Sequence, residues 1–185
     1  MKTKVIKTPL ADLVVVNIDY FKDDRGFFIE SWNKKDFAAA GLTQNFVQDS
    51  HSRSGYRVLR GLHYQDMRAP IVKLVRCTVG RIVDVAVDLR VSSPTFGKWF
   101  SIELSSENQT QLYVPVGFAH GFATLSEICE VQYKQTDFYR PDCESGIAWN
   151  DPDVGVQWPY PDPILSKRDQ DQPSLKQYLK NPAFK

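Results

Sequence analysis

The stretch Arg81-Ile82-Val83-Asp84-Val85-Ala86-Val87-Asp88-Leu89 decides the fold class of this chain. From Val83 onward acidic and apolar residues alternate, so Asp84 and Asp88 share one face of an extended strand and the valines share the other. A Gly-bearing turn at residues 77–81 joins this stretch to an apolar run before it, which is typical of a hairpin. We therefore predict that residues 81–89 form a strand within a β-sheet.

Short runs of the same kind recur along most of the chain. They are rich in β-branched and aromatic residues and are bounded by Gly, Pro, Asn, Asp or Ser, which is typical of strands. The predicted strands cover residues 13–18, 26–30, 58–64, 73–77, 81–89, 98–104, 111–114, 120–125 and 129–136. Helical signal is limited to residues 34–40, which end at Gly41, and to residues 173–179. This pattern predicts one mostly β domain over residues 1–185, a sandwich, barrel or jelly roll with a few short helices and a strand-poor excursion at 141–163.

The composition excludes several classes of function. The 185 residues include 23 Lys plus Arg and 22 Asp plus Glu, which gives a net charge of +1. A protein with so little net charge has no large electrostatic field to attract nucleic acid or an anionic membrane. No segment approaches the roughly 20 apolar residues that span a bilayer, and the N-terminus lacks a signal-peptide pattern. The three cysteines have no metal-type spacing. We expect free thiols and a cytoplasmic protein that binds neither nucleic acid nor a membrane.

Several polar residues are embedded in strands whose neighbours should pack a core. These residues are Arg60, His63, Lys73, His120, Tyr133 and Lys134. Each alone is more often a satisfied core histidine or a surface cation, but together they predict a polar cavity inside the β-structure. In an ideal strand Arg60 and His63 face opposite sides. They line one cavity only if Gly61 permits a bulge.

Other kinds of site find little support. The chain has only three histidines, and no two of them are two positions apart, so His63 and His120 offer at most two ligands to a metal. A Gly-x-Ser-x-Gly elbow and a glycine-rich phosphate loop are both missing from the sequence. We therefore expect neither a metal nor a cofactor.

The polar residues belong to a series of motifs in register. They begin at residues 24–27 (DRGF) and continue nearly to the C-terminus. The further motifs are 60–65 (RGLHYQ), 73–76 (KLVR), 84–90 (DVAVDLR), 93–99 (SPTFGKW), 115–122 (PVGFAHGF), 133–136 (YKQT), 149–152 (WNDP) and 165–169 (LSKRD). This series resembles the dTDP-4-dehydrorhamnose 3,5-epimerase family over almost the whole chain.

The resemblance implies a fold, a reaction and an assembly. The fold is a metal-free cupin-type double-stranded β-helix, or jelly roll, in a homodimer that exchanges N-terminal strands. The reaction inverts C3, C5 or both in a nucleotide-linked 4-keto-6-deoxyhexose, converting dTDP-4-dehydro-6-deoxy-D-glucose to dTDP-4-dehydro-L-rhamnose. The implied pathway makes the L-rhamnose precursor of glycans such as the O-antigen of lipopolysaccharide.

The resemblance also implies roles for individual residues. His63 would be the base, Asp169 its carboxylate partner, Tyr133 the acid on the opposite face of the sugar, and Lys73 the group beside the ketone oxygen. The implied substrate-binding residues are Arg25, Phe27, Glu30, Gln48, Ser50, Arg60, His120, Tyr139 and Arg168. Of these, Arg25 and Glu30 would reach the nucleotide from the partner subunit.

The same inventory suits the chemistry without reference to a family. A proton beside a ketone becomes removable when a cation such as Lys73 meets the developing enolate oxygen. A neutral histidine is a suitable base near neutral pH, and a carboxylate on its other nitrogen sets the tautomer. Inversion requires a proton from the other face, which a phenol such as Tyr133 supplies.

Four positions depart from the pattern of the common rhamnose-pathway enzyme. These are Ser50 in place of Asn, Ile71 in place of Gln, Val116 in place of Glu and Arg168 in place of Lys. None removes the base, the acid or the lysine, but Ser50 and Arg168 concern recognition of nucleotide or sugar. The exact substrate and the number of inverted carbons therefore stay open.

Several of these residues also have a purely structural interpretation. His120 is either part of the site or a buried structural residue, Asp169 either a partner or a solvated acid, and Tyr139 a stacking or a packing residue. Arg25 and Glu30 would otherwise form a surface pair.

For the whole protein, the alternatives are a non-catalytic nucleotide-sugar-binding module, a single-position epimerase on another nucleotide sugar, and a metal-dependent cupin enzyme.

Overall fold

The computed structural model describes residues 2–185, and within them the chain forms thirteen strands and three short helices. The strands are β1 (Thr3–Lys7), β2 (Val14–Ile18), β3 (Phe21–Asp23), β4 (Gly26–Phe28), β5 (Gln48–Gly55), β6 (Leu59–Gln65), β7 (Lys73–Val79), β8 (Arg81–Asp88), β9 (Trp99–Ser105), β10 (Gln111–Val114), β11 (Phe118–Thr124), β12 (Ile128–Gln135) and β13 (Glu144–Gly146). The helices are α1 (Lys34–Ala39), α2 (Lys167–Gln170) and α3 (Leu175–Tyr178).

Two antiparallel sheets form the body of the molecule. The six-stranded sheet has the order β1-β2-β10-β7-β12-β5, and the five-stranded sheet has the order β13-β6-β11-β8-β9. Strands β3 and β4 form a separate hairpin. Strands distant in the sequence lie side by side, as β7 and β12 do in one sheet and β6 and β11 in the other. This is the mostly β, cupin-type jelly roll that the sequence predicted.

Both faces of strand β8 are buried. Ala86 packs in the core between the sheets, together with Leu112 and Phe122. Val85 and Val87 point the other way, against apolar residues that include the C-terminal segment around Tyr178. Because both of its faces are buried, β8 removes much apolar surface from water when the chain folds. The C-terminal segment therefore acts as the cover of the five-stranded sheet.

Most of the predicted elements are confirmed. All nine predicted strands overlap observed ones, and the Gly80 turn joins β7 to β8 with a positive φ of 76°. Helix α1 begins after Asn33, whose side chain accepts from the backbone N–H groups of Lys35 and Asp36, and it ends before Gly41. In the strand-poor segment at 141–163, β13 is the one strand among the described residues.

The sequence did not predict β1, β3, β5, β13 or α2. Strand β5 was missed because its sequence, QDSHSRSG, has no β-branched or aromatic residue. Helix α2 was missed because it has only four residues, too few for a periodic pattern. Both elements carry residues of the candidate site, so these omissions concern function as well as fold.

All three cysteines are free and buried, as expected. None of the helices formed by residues 2–185 has the length and apolar character needed to cross a bilayer.

Candidate active site

A cavity of about 480 Å³ opens between the two sheets. Its walls combine charged and hydroxyl side chains with a few aromatic rings, as expected for a site that orients a polar ligand. The polar lining residues are Ser50, Ser52, Arg60, His63, Lys73, His120, Tyr133, Gln135, Tyr139, Glu144, Ser166, Arg168 and Asp169. The predicted polar cavity is thus present, although Lys134 lies outside it and pairs with Asp49.

His63 and Asp169 meet at one wall of the cavity. The Nε2 atom of His63, on β6, lies 2.6 Å from Oδ1 of Asp169, and the side chains are only 13% and 4% exposed. Burial raises the pKa of Asp169, but the contacts with His63 and Ser166 outweigh it, so its pKa lies below the usual value. The carboxylate therefore stays ionised beside the imidazole.

Helix α2 holds Asp169 in place. Ser166 caps its N-terminus by accepting from the backbone N–H of Asp169. The Ser166 hydroxyl also donates to Oδ2 of Asp169 at 2.6 Å. With one carboxylate oxygen fixed by Ser166 and the other facing His63, the carboxylate has little freedom to rotate.

An irregularity at Gly61 lets Arg60 and His63 line the same cavity. The register between β6 and β11 shifts opposite this residue. Gly61 has φ +134°, and a Cβ placed there would lie 2.5 Å from the Cα of Gly121. Both strands need glycine at this crossing because their backbones touch. Gly61 therefore permits the irregularity that Arg60 and His63 need in order to line one cavity.

Tyr133 faces the cavity from the other sheet. It lies on β12, where its hydroxyl is 3.1 Å from the Ser52 hydroxyl. Its ring makes edge contact with His120 at 6.3 Å and tilted contact with Phe122 at 6.5 Å between centroids. Burial raises the pKa of the Tyr133 phenol, so the group holds its proton at neutral pH.

Lys73 lies on β7, next to β12 in the same sheet as Tyr133. Its backbone register partner across the strands is Gln135. Burial lowers the pKa of Lys73 to about 8, while the carboxylates of Glu144 and Asp84 act in the opposite direction. The ammonium form therefore predominates at neutral pH in a partly buried position, where its charge acts more strongly on a ligand than in bulk water.

His120 is both buried and part of the site. Its Nε2 atom lies 2.9 Å from Oδ1 of Asp84, and the two side chains are 3% and 0% exposed. The neighbouring position across the strands is His63. His120 thus combines the two alternatives considered for it, because it lines the cavity while its far nitrogen is tied to Asp84.

Three residues connect at the mouth of the cavity. Tyr139 donates from its hydroxyl to Oε2 of Glu144 at 2.9 Å, and Arg168 pairs with the same oxygen. Burial and the Glu144 carboxylate raise the pKa of Tyr139. Arg60 donates from Nε to the Ser54 hydroxyl at 2.9 Å. The mouth therefore presents two guanidinium groups and a half-exposed aromatic ring.

Four of the predicted binding residues lie outside this cavity. Arg25 and Phe27 are on the exposed β3–β4 hairpin, where Arg25 pairs with Asp23. Glu30 follows β4 and accepts a long hydrogen bond from Asn33. Gln48 lies beside the cavity, where its side-chain oxygen accepts from the backbone N–H of Tyr139.

The sequence interpretation missed four of the polar lining residues: Ser52, Gln135, Glu144 and Ser166. Ser52 could have been found from the alternation of serines at 50, 52 and 54. Ser166 precedes a short helix as an N-cap does. Glu144 and Gln135 give no local signal.

Each of the two cavity histidines faces a carboxylate. Among residues 2–185 there is no group of three or more His, Cys, Asp or Glu side chains placed to hold a metal ion. The arrangement instead joins an imidazole–carboxylate pair, a protonated phenol and an ammonium group. Such a set is suited to moving protons at carbon.

A protein-family model described as dTDP-4-dehydrorhamnose 3,5-epimerase matches residues 7–177. The chain belongs to this family. The dTDP-4-dehydrorhamnose 3,5-epimerase of Salmonella typhimurium is 50% identical over 177 residues, which cover 95% of this chain and 97% of that protein. Membership of the family and the class of carbohydrate epimerase, both implied by the motifs, are thereby confirmed.

Solved structures of the epimerase family share the fold. The 3,5-epimerase of Legionella pneumophila, in complex with dTDP-4-keto-L-rhamnose, has a TM-score of 0.90 and 42% identity, covering 94% of this chain and 93% of that one. A 3'-monoepimerase of Streptomyces bikiniensis, in complex with dTDP-quinovose, has a TM-score of 0.90 and 27% identity, covering 96% and 90%. The TM-scores are equal, but the sequence identity is higher to the enzyme whose name specifies both carbons.

Proposed function

We propose that this chain converts dTDP-4-dehydro-6-deoxy-D-glucose to dTDP-4-dehydro-L-rhamnose by inverting C3 and C5. The 50% identity to a 3,5-epimerase over nearly the whole chain supports this substrate. The ligand named in the Legionella pneumophila structure supports it as well. A cavity of about 480 Å³ is of the size that accepts a small ligand.

One observation carries the proposed mechanism. His63 and Tyr133 line the same cavity from opposite sheets, and His63 has an ionised carboxylate at 2.6 Å. Because Nε2 faces Asp169, Nδ1 is the nitrogen left to take a proton. Asp169 stabilises the imidazolium that forms when His63 accepts it. A base on one wall and an acid on the other are what inversion at carbon requires.

Each inversion then proceeds in two proton transfers. His63 removes the proton from the carbon beside the ketone, and the electron pair of that C–H bond moves onto the ketone oxygen. The Lys73 ammonium stabilises the resulting enolate. The C=C electron pair of the enolate then takes the proton of the Tyr133 hydroxyl on the opposite face as the ketone re-forms, and the O–H electron pair stays on the phenolate. His63 returns its proton to water and Tyr133 regains one from water.

The nucleotide diphosphate would lie at the mouth. Arg60 and Arg168 supply positive charge there, and the half-exposed ring of Tyr139 offers a surface for stacking. Ser50 and Gln48 would complete the contacts along β5. We propose that His120 contacts the hexose, since it lies across the strands from His63 and its ring contacts that of Tyr133.

We also propose a homodimer in which the N-terminal strands are exchanged. Phe21 and Phe28 on the β3–β4 hairpin are 71% and 65% exposed, more apolar surface than a free hairpin normally presents. Arg25, Phe27 and Glu30 lie outside the cavity of their own chain, which suits a contact with the partner's nucleotide. The dimer would act in the cytoplasm, on the route to L-rhamnose-containing glycans such as the O-antigen.

The reaction is tested directly by proton NMR in D₂O. Incubation of the protein with dTDP-4-dehydro-6-deoxy-D-glucose should replace the protons at C3 and C5 by deuterium and yield the L-rhamno product. One deuteron instead of two would indicate a single-position epimerase. Retention of both protons, with binding of the sugar nucleotide intact, would leave only a binding module.

The exchanged dimer is tested by mixing two inactive variants. Arg25→Ala lacks the proposed nucleotide contact and His63→Ala lacks the base. If the site combines both chains, co-refolded heterodimers should recover one functional site and therefore part of the activity. A monomer in analytical ultracentrifugation, or no recovery in a verified heterodimer, would contradict the exchange.

A further inference from the structure

Strand β5, at the edge of the six-stranded sheet, carries a row of three hydroxyl groups on its inward face, and those of Ser50 and Ser52 line the cavity. Ser50, Ser52 and Ser54 recur with a period of two and are at least partly buried, whereas Asp49 and Arg53 between them are exposed. Small hydroxyl residues in place of β-branched ones weaken the packing of a strand. Their presence in one row therefore suggests a role in the cavity.

Each hydroxyl of the row contacts a different residue of the cavity wall. Ser54 accepts from Nε of Arg60 at 2.9 Å, and Ser50 accepts from Nε2 of Gln135 at 3.0 Å. Ser52, in the middle, lies 3.1 Å from the Tyr133 oxygen. Among the described residues, Ser52 is the one hydrogen-bond partner of that oxygen.

We propose that Ser52 is a positioning residue for Tyr133: its hydroxyl donates to the phenolic oxygen and so directs the phenol's own hydrogen into the cavity. This inference rests on the function proposed above, in which Tyr133 is the acid. Ser52 does not touch the sugar in this account. It acts only through Tyr133.

The backbone register explains how the two residues meet. Tyr133 lies opposite Ser50 on β5, while Ser52 lies opposite Val131. Tyr133 therefore reaches Ser52 along the diagonal, a distance that aromatic side chains span between neighbouring strands. The rings of His120 and Phe122 hold the plane of the phenol. Ring packing and the Ser52 contact together leave the oxygen one orientation.

The chemistry gives Ser52 a second effect on the same atom. When the Tyr133 O–H bond breaks, the proton forms a C–H bond with the substrate and the electron pair remains on the phenolate. Burial raises the pKa of Tyr133 and so opposes formation of the phenolate, whereas the hydrogen bond from Ser52 lowers it. Ser52 keeps its own hydrogen throughout, and water later returns a proton to Tyr133.

The experiment compares Ser52→Ala with Ser52→Thr and with Ser54→Ala as a matched control on the same row. For each, solvent deuterium exchange at C3 and C5 without inversion is measured against inversion, together with kcat and KM. If Tyr133 delivers its proton poorly, His63 returns a deuteron to the original face. Ser52→Ala should then lower kcat about tenfold to a hundredfold and raise the ratio of exchange to inversion.

The controls separate positioning from general damage. Ser52→Thr keeps the hydroxyl and should restore the ratio. Ser54→Ala removes the contact with Arg60 and should raise KM while leaving the ratio as in the wild type. If circular dichroism shows that Ser52→Ala is unfolded, Ser52→Cys, whose thiol is a weaker donor, is measured instead with the same expectation.

An unchanged ratio and kcat in the folded Ser52 variant, with an active wild type, would overturn this role and leave the proposed reaction standing. A wild type inactive on the ketosugar would overturn both. A raised ratio in Ser54→Ala as large as in Ser52→Ala would also overturn it, because the effect would then belong to the strand and not to Ser52.

Discussion

The Nε2 atom of His63 lies 2.6 Å from Oδ1 of Asp169, and both side chains are largely buried. The two residues are far apart in the sequence. His63 lies on β6, and Asp169 lies on α2, a four-residue helix near the C-terminus. A buried carboxylate beside an imidazole sets which nitrogen carries the proton.

Asp169→Asn should lower kcat about a hundredfold or more, because the amide fixes the wrong tautomer and leaves the imidazolium uncompensated. The measurement is steady-state kinetics on the ketosugar. Asp171→Asn, on the same turn, is the matched control and should retain activity. Equal losses in both variants would show that the helix and not the carboxylate matters.

The same carboxylate should contribute to acid stability. Its pKa is lowered in the folded protein, so its contribution is complete above the unfolded value of about 3.9 and is lost as the pH falls through the lowered value. Wild type and Asp169→Asn should therefore differ in stability most at neutral pH and converge in strong acid. Thermal unfolding from pH 2 to 7 measures this, and a constant difference would contradict it.

Deprotonation of Lys73 should limit the activity at alkaline pH. Its pKa of about 8 means that the ammonium form is lost as the pH rises through that value, so kcat/KM should fall above about pH 8. Because its pKa lies below that of the unfolded chain, the unfolded state binds more protons, and at neutral pH the charge costs stability. Lys73→Met should therefore be inactive yet more stable, on the order of 1–3 kcal/mol at pH 7. A less stable variant would contradict the depressed pKa.

The pair of His120 and Asp84 should stabilise the fold, and Asp84 should also raise the pKa of Lys73. Asp84→Ala leaves a buried imidazole without its partner, which should cost about 3–5 kcal/mol of unfolding free energy. It also removes a carboxylate that holds the pKa of Lys73 up, so the alkaline limit of activity should move to lower pH. Urea unfolding and a pH–rate profile check the two effects. An unmoved alkaline limit would contradict the link to Lys73.

Gly61 should tolerate no side chain. Gly61→Ala places a Cβ within 2.5 Å of the Gly121 backbone at a positive φ, so we expect a loss of more than about 3 kcal/mol or failure to fold. Gly55→Ala, where the nearest atom is at 3.9 Å, is the matched control and should fold normally. Similar melting temperatures for both would show that the crossing of β6 and β11 can relax.

The sequence predicted the fold well where hydrophobic patterning decides structure. Strands such as β8 and β12 alternate apolar residues and lie in the core, so their period is visible. Strand β5 was missed because its inward face carries Ser50, Ser52 and Ser54 in place of apolar residues. The strand lines a polar cavity, and that function removes the signal by which strands are found.

The candidate site was predictable in part for a similar reason. His63, Lys73 and Tyr133 stand out as polar residues in apolar strands. Asp169 does not, because it lies in a short helix, and only the family resemblance connected it with His63. Glu144 reaches Tyr139 and Arg168 through tertiary contacts that have no local pattern. Pairings of this kind depend on how the chain folds back and require the structure.

The most direct test of the central claim is solvent exchange with His63→Ala and Tyr133→Phe in D₂O. If the base and the acid act from opposite walls, Tyr133→Phe should still exchange protons at C3 or C5 while losing inversion, and His63→Ala should lose both. Inversion at the wild-type rate in Tyr133→Phe, or exchange that persists in His63→Ala, would contradict the account.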